Sequence, residues 1–225
     1  MLQDIQIQGT EDGSATLYLP SLLETYHSNK GAIGESWHVY IQNGLLPKLS
    51  ETSSLTILEV GFGTGLNVLL SLEATSEQHS IRMMSLEPYL LSLPLLASYY
   101  QHFEQVPKHL SSLPTLLASE QMQTIQAGFQ FQLIPSKLED LSKTQMAFDG
   151  PIDLVYFDAF APSKQPEVWQ IDCFKKLYEL MAHKGRLVTY CAQGQFKRHL
   201  KQIGFEVYNP PGAFGKREMT VAIKP

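Results

Sequence analysis

The sequence predicts an α/β fold: a mainly parallel, seven-stranded sheet with helices on both faces, preceded by an N-terminal β-hairpin extension. Three observations predict it. From Thr56 onward, short apolar runs alternate with longer helix-like stretches, the order of strand–helix–strand units. The first run passes directly into Gly61, Gly63 and Gly65, then into Leu66, Val68, Leu69 and Leu70, which reads as strand, tight turn and helix. Two further runs end in an acid, Glu87 and Asp158, at the sheet edge where open α/β folds bind ligands.

Residues 1–55 are expected to form an extension packed on the core. Ile5-Gln-Ile-Gln and Ala15-Thr-Leu-Tyr-Leu alternate apolar and polar side chains, and Glu11-Asp-Gly-Ser between them supplies turn residues, a hairpin pattern. A loop from Glu24 leads into a helix near residues 34–43. The main domain spans 56–225. Its strands are expected at 56–60, 81–86, 129–134, 153–157 and 186–191, with 205–208 and 218–223 closing the sheet as an antiparallel pair. The Leu-rich stretch 92–128 reads as two or more helices.

The composition bounds the class. Of 225 residues, 44% are hydrophobic and 17% charged, the balance of a soluble chain with a full core. A net charge of -5 gives no global basic field, which counts against non-specific coating of nucleic acid but leaves room for a local basic rim. Cys173 and Cys191 have no metal spacing, and the seven histidines show no HExxH-like pair. No metal site is expected, and a reducing cytoplasm is the expected location. The N-terminus lacks a basic region followed by an apolar core, so no signal peptide is expected. The longest apolar stretch, 89–100, is broken by Pro94 and is too short to span a bilayer.

Glycines without a Cβ let a ligand approach the backbone, and the following helix offers free N–H groups. The spacing Glu59-x-Gly-x-Gly-x-Gly differs from the Gly-x-Gly-x-x-Gly of dinucleotide enzymes. It resembles the first motif of Rossmann-like class I S-adenosylmethionine (SAM) methyltransferases. Glu59, Gly61, Phe62, Gly63, Thr64, Gly65 and Asn67 are therefore the expected cofactor contacts. Glu87 stands about 20 residues past Gly65, the interval at which an acid accepts ribose hydroxyls. After the third strand, Ser136 and Lys137 stand where SAM enzymes often carry an adenine-contacting acid. The Leu138 backbone or Glu139 is the alternative contact, and Glu139 with Asp140 would equally suit a helix N-terminus.

Asp158 is followed at once by Phe160 and Pro162, with Lys164 in the same segment. An amine methyltransferase needs an acceptor that orients the nitrogen and takes its proton, and an aromatic wall beside a sulfonium cation. Asp158 and Phe160 suit these tasks, and Lys164 is assigned to the substrate side. The competing reading makes Asp158 the cap of a helix beginning near Pro166. An ordinary Asp, near about 3.9, is a weak base toward an alkylamine, so orientation is its expected larger role. Lys216 and Arg217 beside Phe214, with Lys197, Arg198 and Lys201 on the preceding helix, could hold phosphates and stack a base. A solvated basic turn fits the same spacing.

Together and in this order, these segments resemble the methyltransferase part of the bifunctional tRNA 5-methylaminomethyl-2-thiouridine biosynthesis proteins and its stand-alone form. Gly-Phe-Gly-Thr-Gly-Leu-Asn at 61–67, Asp-x-Phe-Ala-Pro-x-Lys-x-Pro-x-x-Trp at 158–169 and Phe-Gly-Lys-Arg-Glu-Met at 214–219 carry the resemblance. Asp-Gly-Ser at 12–14, Tyr-His-Ser at 26–28 and Gly-Ala-x-x-Glu-Ser at 31–36 extend it over nearly the whole chain.

The resemblance implies transfer of a methyl group from SAM to the exocyclic amine of 5-aminomethyl-(2-thio)uridine at the tRNA wobble position. It implies the anticodon loop as partner, other enzymes to make the aminomethyl precursor, and no membrane. The FAD-dependent oxidase half of the bifunctional proteins lies outside the matching segments, so a stand-alone methyltransferase without FAD is implied. Rival readings are a polyamine aminopropyltransferase, which also carries an Asp after its fourth strand but uses decarboxylated SAM, a small-molecule amine N-methyltransferase, and a SAM-binding protein without turnover.

Overall fold

The structure, a computed structural model, describes residues 4–146 and 150–225. Strands β1 (Gln6–Gly9), β2 (Ala15–Leu19) and β3 (Glu24–Thr25) make a small antiparallel sheet. A second, eight-stranded sheet contains β4 (Ser54–Val60), β5 (Ser80–Leu86), β6 (Gln123–Gln126), β7 (Phe129–Ile134), β8 (Ile152–Phe157), β9 (Met181–Thr189), β10 (Glu206–Tyr208) and β11 (Thr220–Ile223). Its order is β10-β11-β9-β8-β4-β5-β7-β6. The five strands from β7 to β9 run parallel, and β6, β10 and β11 pair antiparallel. The order reverses at β4, so the carboxyl ends of β4, β5 and β8 converge on one crevice.

All seven expected strands are present. The eighth, β6, lies in the stretch expected to be helical. Its residues, Gln-Thr-Ile-Gln, carry no helical apolar period; they turn at Gly128, whose φ is 78°, and pair along the edge of β7. The rest of that stretch does hold helices, α4 (Leu93–Tyr100) and α5 (Leu113–Leu117), each with Pro in its first turn, where a missing N–H costs no hydrogen bond. The fifth parallel strand ends at Thr189, two residues short of expectation, and begins earlier, at Met181, with a register shift against β8.

Alternation along the strands feeds two cores. Leu55, Ile57, Ile81, Met83, Leu154 and Tyr156 face α3 (Leu66–Ala74) and the N-terminal segment. Leu58, Val60, Met84, Leu86, Val155 and Phe157 face α6 (Ile171–Leu180) and α7 (Gly194–Ile203). Strands covered on both faces read as near-continuous apolar runs, as these do.

The N-terminal segment shares the first core through Leu17, Val39, Ile41 and Leu45. Beyond the hairpin it forms one helical rod. This comprises α1 (Ala32–Ser36), a π-wound stretch Trp37–Leu45, and α2 (Leu46–Leu49). The hairpin turn satisfies the rod's first donors: Ser14 Oγ accepts from Ala32 N at 2.8 Å and Asp12 Oδ2 from Gly34 N at 3.1 Å. Pro47 cannot donate within the rod, and the carbonyl of Asn43, four residues back, takes the Arg186 guanidinium at 3.0 Å instead.

Candidate active site

A cavity of about 530 Å³ opens at the carboxyl ends of β4, β5 and β8. Its walls include Gly61, Phe62, Gly63, Thr64 and Asn67 after β4, and Glu87 after β5. Leu138 after β7 and Asp158, Phe160 and Lys164 after β8 complete them. Ser136, Lys137 and Glu139, the other candidates on the adenine side, line it too.

The glycine turn is dictated by contact on both sides. Gly61 has a φ of 94°, and a Cβ there would collide with the Asp158 carbonyl. Gly63 has a φ of 52°, and its Cβ would meet only the Tyr26 ring, at 3.3 Å. The Gly63 N–H donates to Glu87 Oε2 at 3.1 Å, and the Tyr89 N–H to Oε1 at 2.9 Å, so Glu87 is fixed in place with one lone pair left on each oxygen. Thr64 is pinned by the His27 ring at 3.0 Å, and Tyr100 donates to its carbonyl at 3.1 Å. Burial pushes the His27 imidazole down to about 4, so it is neutral.

Two expected cofactor contacts do not reach the cavity. Glu59 is wholly buried beneath it, on the β4 face that looks toward α3, where Ser85 of the neighbouring strand donates to Oε2 at 2.5 Å. Desolvation pushes its carboxyl up to about 8. Gly65, with a φ of 80°, starts α3 and is backed by the Phe62 ring. Asn67 borders the cavity but spends its amide on Asp158, donating to Oδ2 at 2.8 Å.

Asp158 is not a helix cap: α6 begins at Ile171 after Gln170. Its carboxylate is held from both sides, by Asn67 on Oδ2 and by the Tyr40 hydroxyl on Oδ1 at 2.6 Å. Burial pushes this carboxyl up to about 7, against the pull of those two donors. It is a far better proton acceptor than the ordinary Asp expected from sequence. The loop after it is fixed by its carbonyls. Tyr190 donates to Ala159 O at 2.9 Å and the Trp169 indole to Phe160 O at 2.8 Å. The Trp169 ring sits among Phe157, Phe174 and Phe196, in contacts contributing about 0.5–1.5 kcal/mol each. Phe160 is thereby turned onto Tyr26, edge to face, with ring centroids 5.0 Å apart.

The basic turn divides. Lys216 lines the cavity from an exposed position and is bonded to Glu35 Oε1 at 2.5 Å. Arg217 is exposed outside it. Phe214 does not line the cavity; the tip of its ring sits against Gly31 and Gly34, where a side chain at either glycine would strike it. It holds the C-terminal turn against α1.

Sequence reasoning missed Tyr26, Glu35, Tyr40 and Tyr190. Tyr26 and Glu35 lie in matching segments but carry no spacing signal. Tyr40 and Tyr190 become part of the site only through the packing of the N-terminal rod and the end of β9.

A family model described as S-adenosyl-L-methionine-dependent methyltransferase matches residues 101–225, over half of the chain. The chain is 30% identical, over 97% of its length, to the tRNA 5-methylaminomethyl-2-thiouridine biosynthesis bifunctional protein MnmC of Hydrogenovibrio crunogenus. It is 31% identical over 90% to the protein of the same name from Ralstonia nicotianae. It spans about a third of the length of these curated relatives, 34% and 32% respectively. A crystal structure of MNMC2 from Aquifex aeolicus superposes with a TM-score of 0.78 at 26% identity, over 97% of this chain and 70% of that one.

Proposed function

Because the chain belongs to the S-adenosyl-L-methionine-dependent methyltransferase family, we propose that it methylates the primary amine of 5-aminomethyl-(2-thio)uridine at the wobble position of tRNA. The observation that carries this reading is Asp158. It is a twice-anchored carboxylate with raised proton affinity, set between the glycine turn and an aromatic wall.

The residues present fit SAM. The turn from Gly61 to Thr64 leaves backbone open to a ligand at Gly63, Glu87 keeps acceptors free for two ribose hydroxyls, and Phe62 and Leu138 offer apolar faces to a base. When bound, SAM supplies an electrophilic sulfonium methyl. Glu24, Glu35, Glu87, Glu139, Asp158 and Glu167 line the walls against Lys137, Lys164 and Lys216, an excess of acids that favours an incoming ammonium. Asp158 would pair with the incoming ammonium, take one of its protons to free the nitrogen lone pair, and hold the neutral amine in line for attack. Phe160 and Tyr26 wall the position of a flat base. A wobble base in an anticodon loop can be splayed into such a pocket without melting a duplex. The segment 1–55, through Tyr26, Glu35 and Tyr40, completes the site built by 56–225. A tRNA substrate favours a cytoplasmic place for the enzyme, and no helix among the described residues is long and apolar enough to cross a membrane.

The test uses labelled SAM and tRNA from cells lacking this gene, followed by nucleoside mass spectrometry. Label is expected in 5-methylaminomethyl-(2-thio)uridine. Transfer from decarboxylated SAM to putrescine, with none to tRNA, would overturn the reading.

Glu87→Ala is expected to weaken SAM binding about 10–100-fold, the loss of one or two hydrogen bonds to a charged group, with little change in turnover at saturating SAM. Calorimetry beside saturated kinetics checks it; a collapse of saturated turnover at unchanged affinity would remove Glu87 from the ribose role. Arg217→Ala is expected to raise the Michaelis constant for tRNA several-fold and to lower the salt slope of binding by about 1. Lys216→Ala should change that slope less, because its charge is already paired with Glu35. Equal slopes for wild type and the Arg217 variant would make Arg217 a solvated residue only.

A further inference from the structure

The carboxylate of Asp158 has two donors, and they come from opposite parts of the chain. Asn67 belongs to the first turn of α3, two residues past the last glycine of the motif. Tyr40 belongs to the π-wound middle of the N-terminal rod. Tyr40 is buried, 2% exposed, and does not line the cavity, so it can reach a bound molecule only through Asp158. Its ring is steered by Tyr156 of β8, at 5.3 Å between centroids, and Tyr156 is itself tied to Ser71 of α3 at 3.2 Å. A π-wound stretch shifts the face a helix presents and recurs at functional sites.

We propose that Tyr40 is a positioning residue for methyl transfer: its hydroxyl fixes Asp158 Oδ1, so that the carboxylate presents its remaining lone pairs to the substrate nitrogen and stays ionised when that nitrogen arrives. The inference rests on the reading of Asp158 as the amine-facing group. One donor on each oxygen prevents rotation about the Cβ–Cγ bond, which a single donor would allow. Each donor also favours the charged form of the acid. The other groups facing Asp158 work against ionisation or are neutral: Glu35 from α1, Glu59 from β4 and Tyr190 after β9. Glu35 is offset by Lys216. Tyr40 and Asn67 are thus the groups that keep Asp158 usable near neutral pH, and Tyr40 ties this to the docking of the N-terminal segment.

The experiment compares wild type, Tyr40→Phe and a protein carrying 3-fluorotyrosine at position 40, whose hydroxyl is the stronger donor. Two readouts are taken. The first is single-turnover methylation across pH. The second is an infrared titration of the Asp158 carboxyl band, assigned by its loss in Asp158→Asn and read without substrate. Tyr40→Phe is expected to move the Asp158 titration and the rising limb of the rate profile upward by about one to two pH units, as removal of a hydrogen bond to a charged group requires. Its rate at neutral pH should fall about 10–100-fold, with SAM affinity unchanged. The fluorinated protein should move the titration the other way. A Tyr40→Phe protein that folds, with both titration and limb where wild type has them, overturns the proposal. So does a fluorinated protein with an unmoved titration, which covers the case in which the Phe variant fails to fold. If wild type methylates no amine while the infrared titration still follows position 40, the reading of function fails and the Tyr40–Asp158 coupling stands.

Discussion

Asp158→Asn is expected to slow methyl transfer about 10²–10⁴-fold while leaving SAM affinity unchanged. The substitution keeps the shape of the side chain and removes its charge. An alkylamine of the lysine type, near about 10, arrives protonated at neutral pH, and only its neutral form has a lone pair to give. In wild type, Asp158 offers that proton a place to go. Its carboxyl stands near 7, so transfer should rise with pH through that value as the acid ionises. The Asn variant should lack this limb and recover only as the amine itself loses its proton at higher pH. Single-turnover methylation of aminomethyluridine-containing tRNA across pH separates the two. Near-wild-type rates for the variant at neutral pH would move the chemistry to another group.

The same substitution carries a stability signature of opposite sign. The folded-state carboxyl titrates near 7 and the unfolded one near about 3.9, so the folded protein holds the proton more tightly. Below about 4 both states are protonated and nothing is lost. Between about 4 and 7 the unfolded state ionises first, and wild type loses stability as pH rises. Asn has no such term. The variant is therefore expected to gain on the order of 1–3 kcal/mol over wild type at pH 8 and nothing at pH 4, an amount reduced because Asn67 must then face a second amide. A carboxylate that is destabilising in place, yet held by two donors, is what selection for chemistry leaves behind.

The parallel strands were legible because apolar runs covered on both faces need no tertiary information. The edge strand β6 was not, since Gln-Thr-Ile-Gln gains its structure only from the exposed edge of β7. The cavity walls were legible where function and local backbone coincide. Gly61 and Gly63 need a positive φ, and Glu87 and Asp158 end strands. Residue type misled at Glu59, where an acid before the glycines faces α3 rather than the cavity, because side chains alternate across the sheet. Matching segments also mixed two kinds of duty. Asp12 and Ser14 cap the N-terminal rod, Phe214 holds a turn, and Trp169 fixes a carbonyl. Sequence alone does not separate such scaffolding from contact with a ligand. Tyr40 lay furthest out of reach: it stands 118 positions from Asp158, and nothing local marks it.

Gly63→Val is expected to abolish SAM binding in a protein that still folds. Gly63 has a φ of 52°, a left-handed conformation that costs a residue with a Cβ about 1–2 kcal/mol and a β-branched one more. Its N–H must also stay on Glu87, so the backbone cannot turn away without releasing the proposed ribose acceptor. A Cβ there meets only the edge of Tyr26, at 3.3 Å, and the cavity lies beside it, so the two valine methyls have the ligand space to enter. Strain and steric exclusion together should lower SAM affinity by at least about 10²-fold, which corresponds to about 2.7 kcal/mol. Gly63→Ala should lose less, because one methyl can be met by a small shift of the Tyr26 ring. Gly61 offers the instructive contrast. A Cβ at that position drives into the Asp158 carbonyl, so Gly61→Ala should lower the melting temperature and disturb the catalytic loop as well as the cofactor turn. Calorimetric titration with SAM, beside thermal melts of all three variants, distinguishes these effects. If folded Gly63→Val binds SAM as wild type does, the glycine turn is not where the cofactor lies.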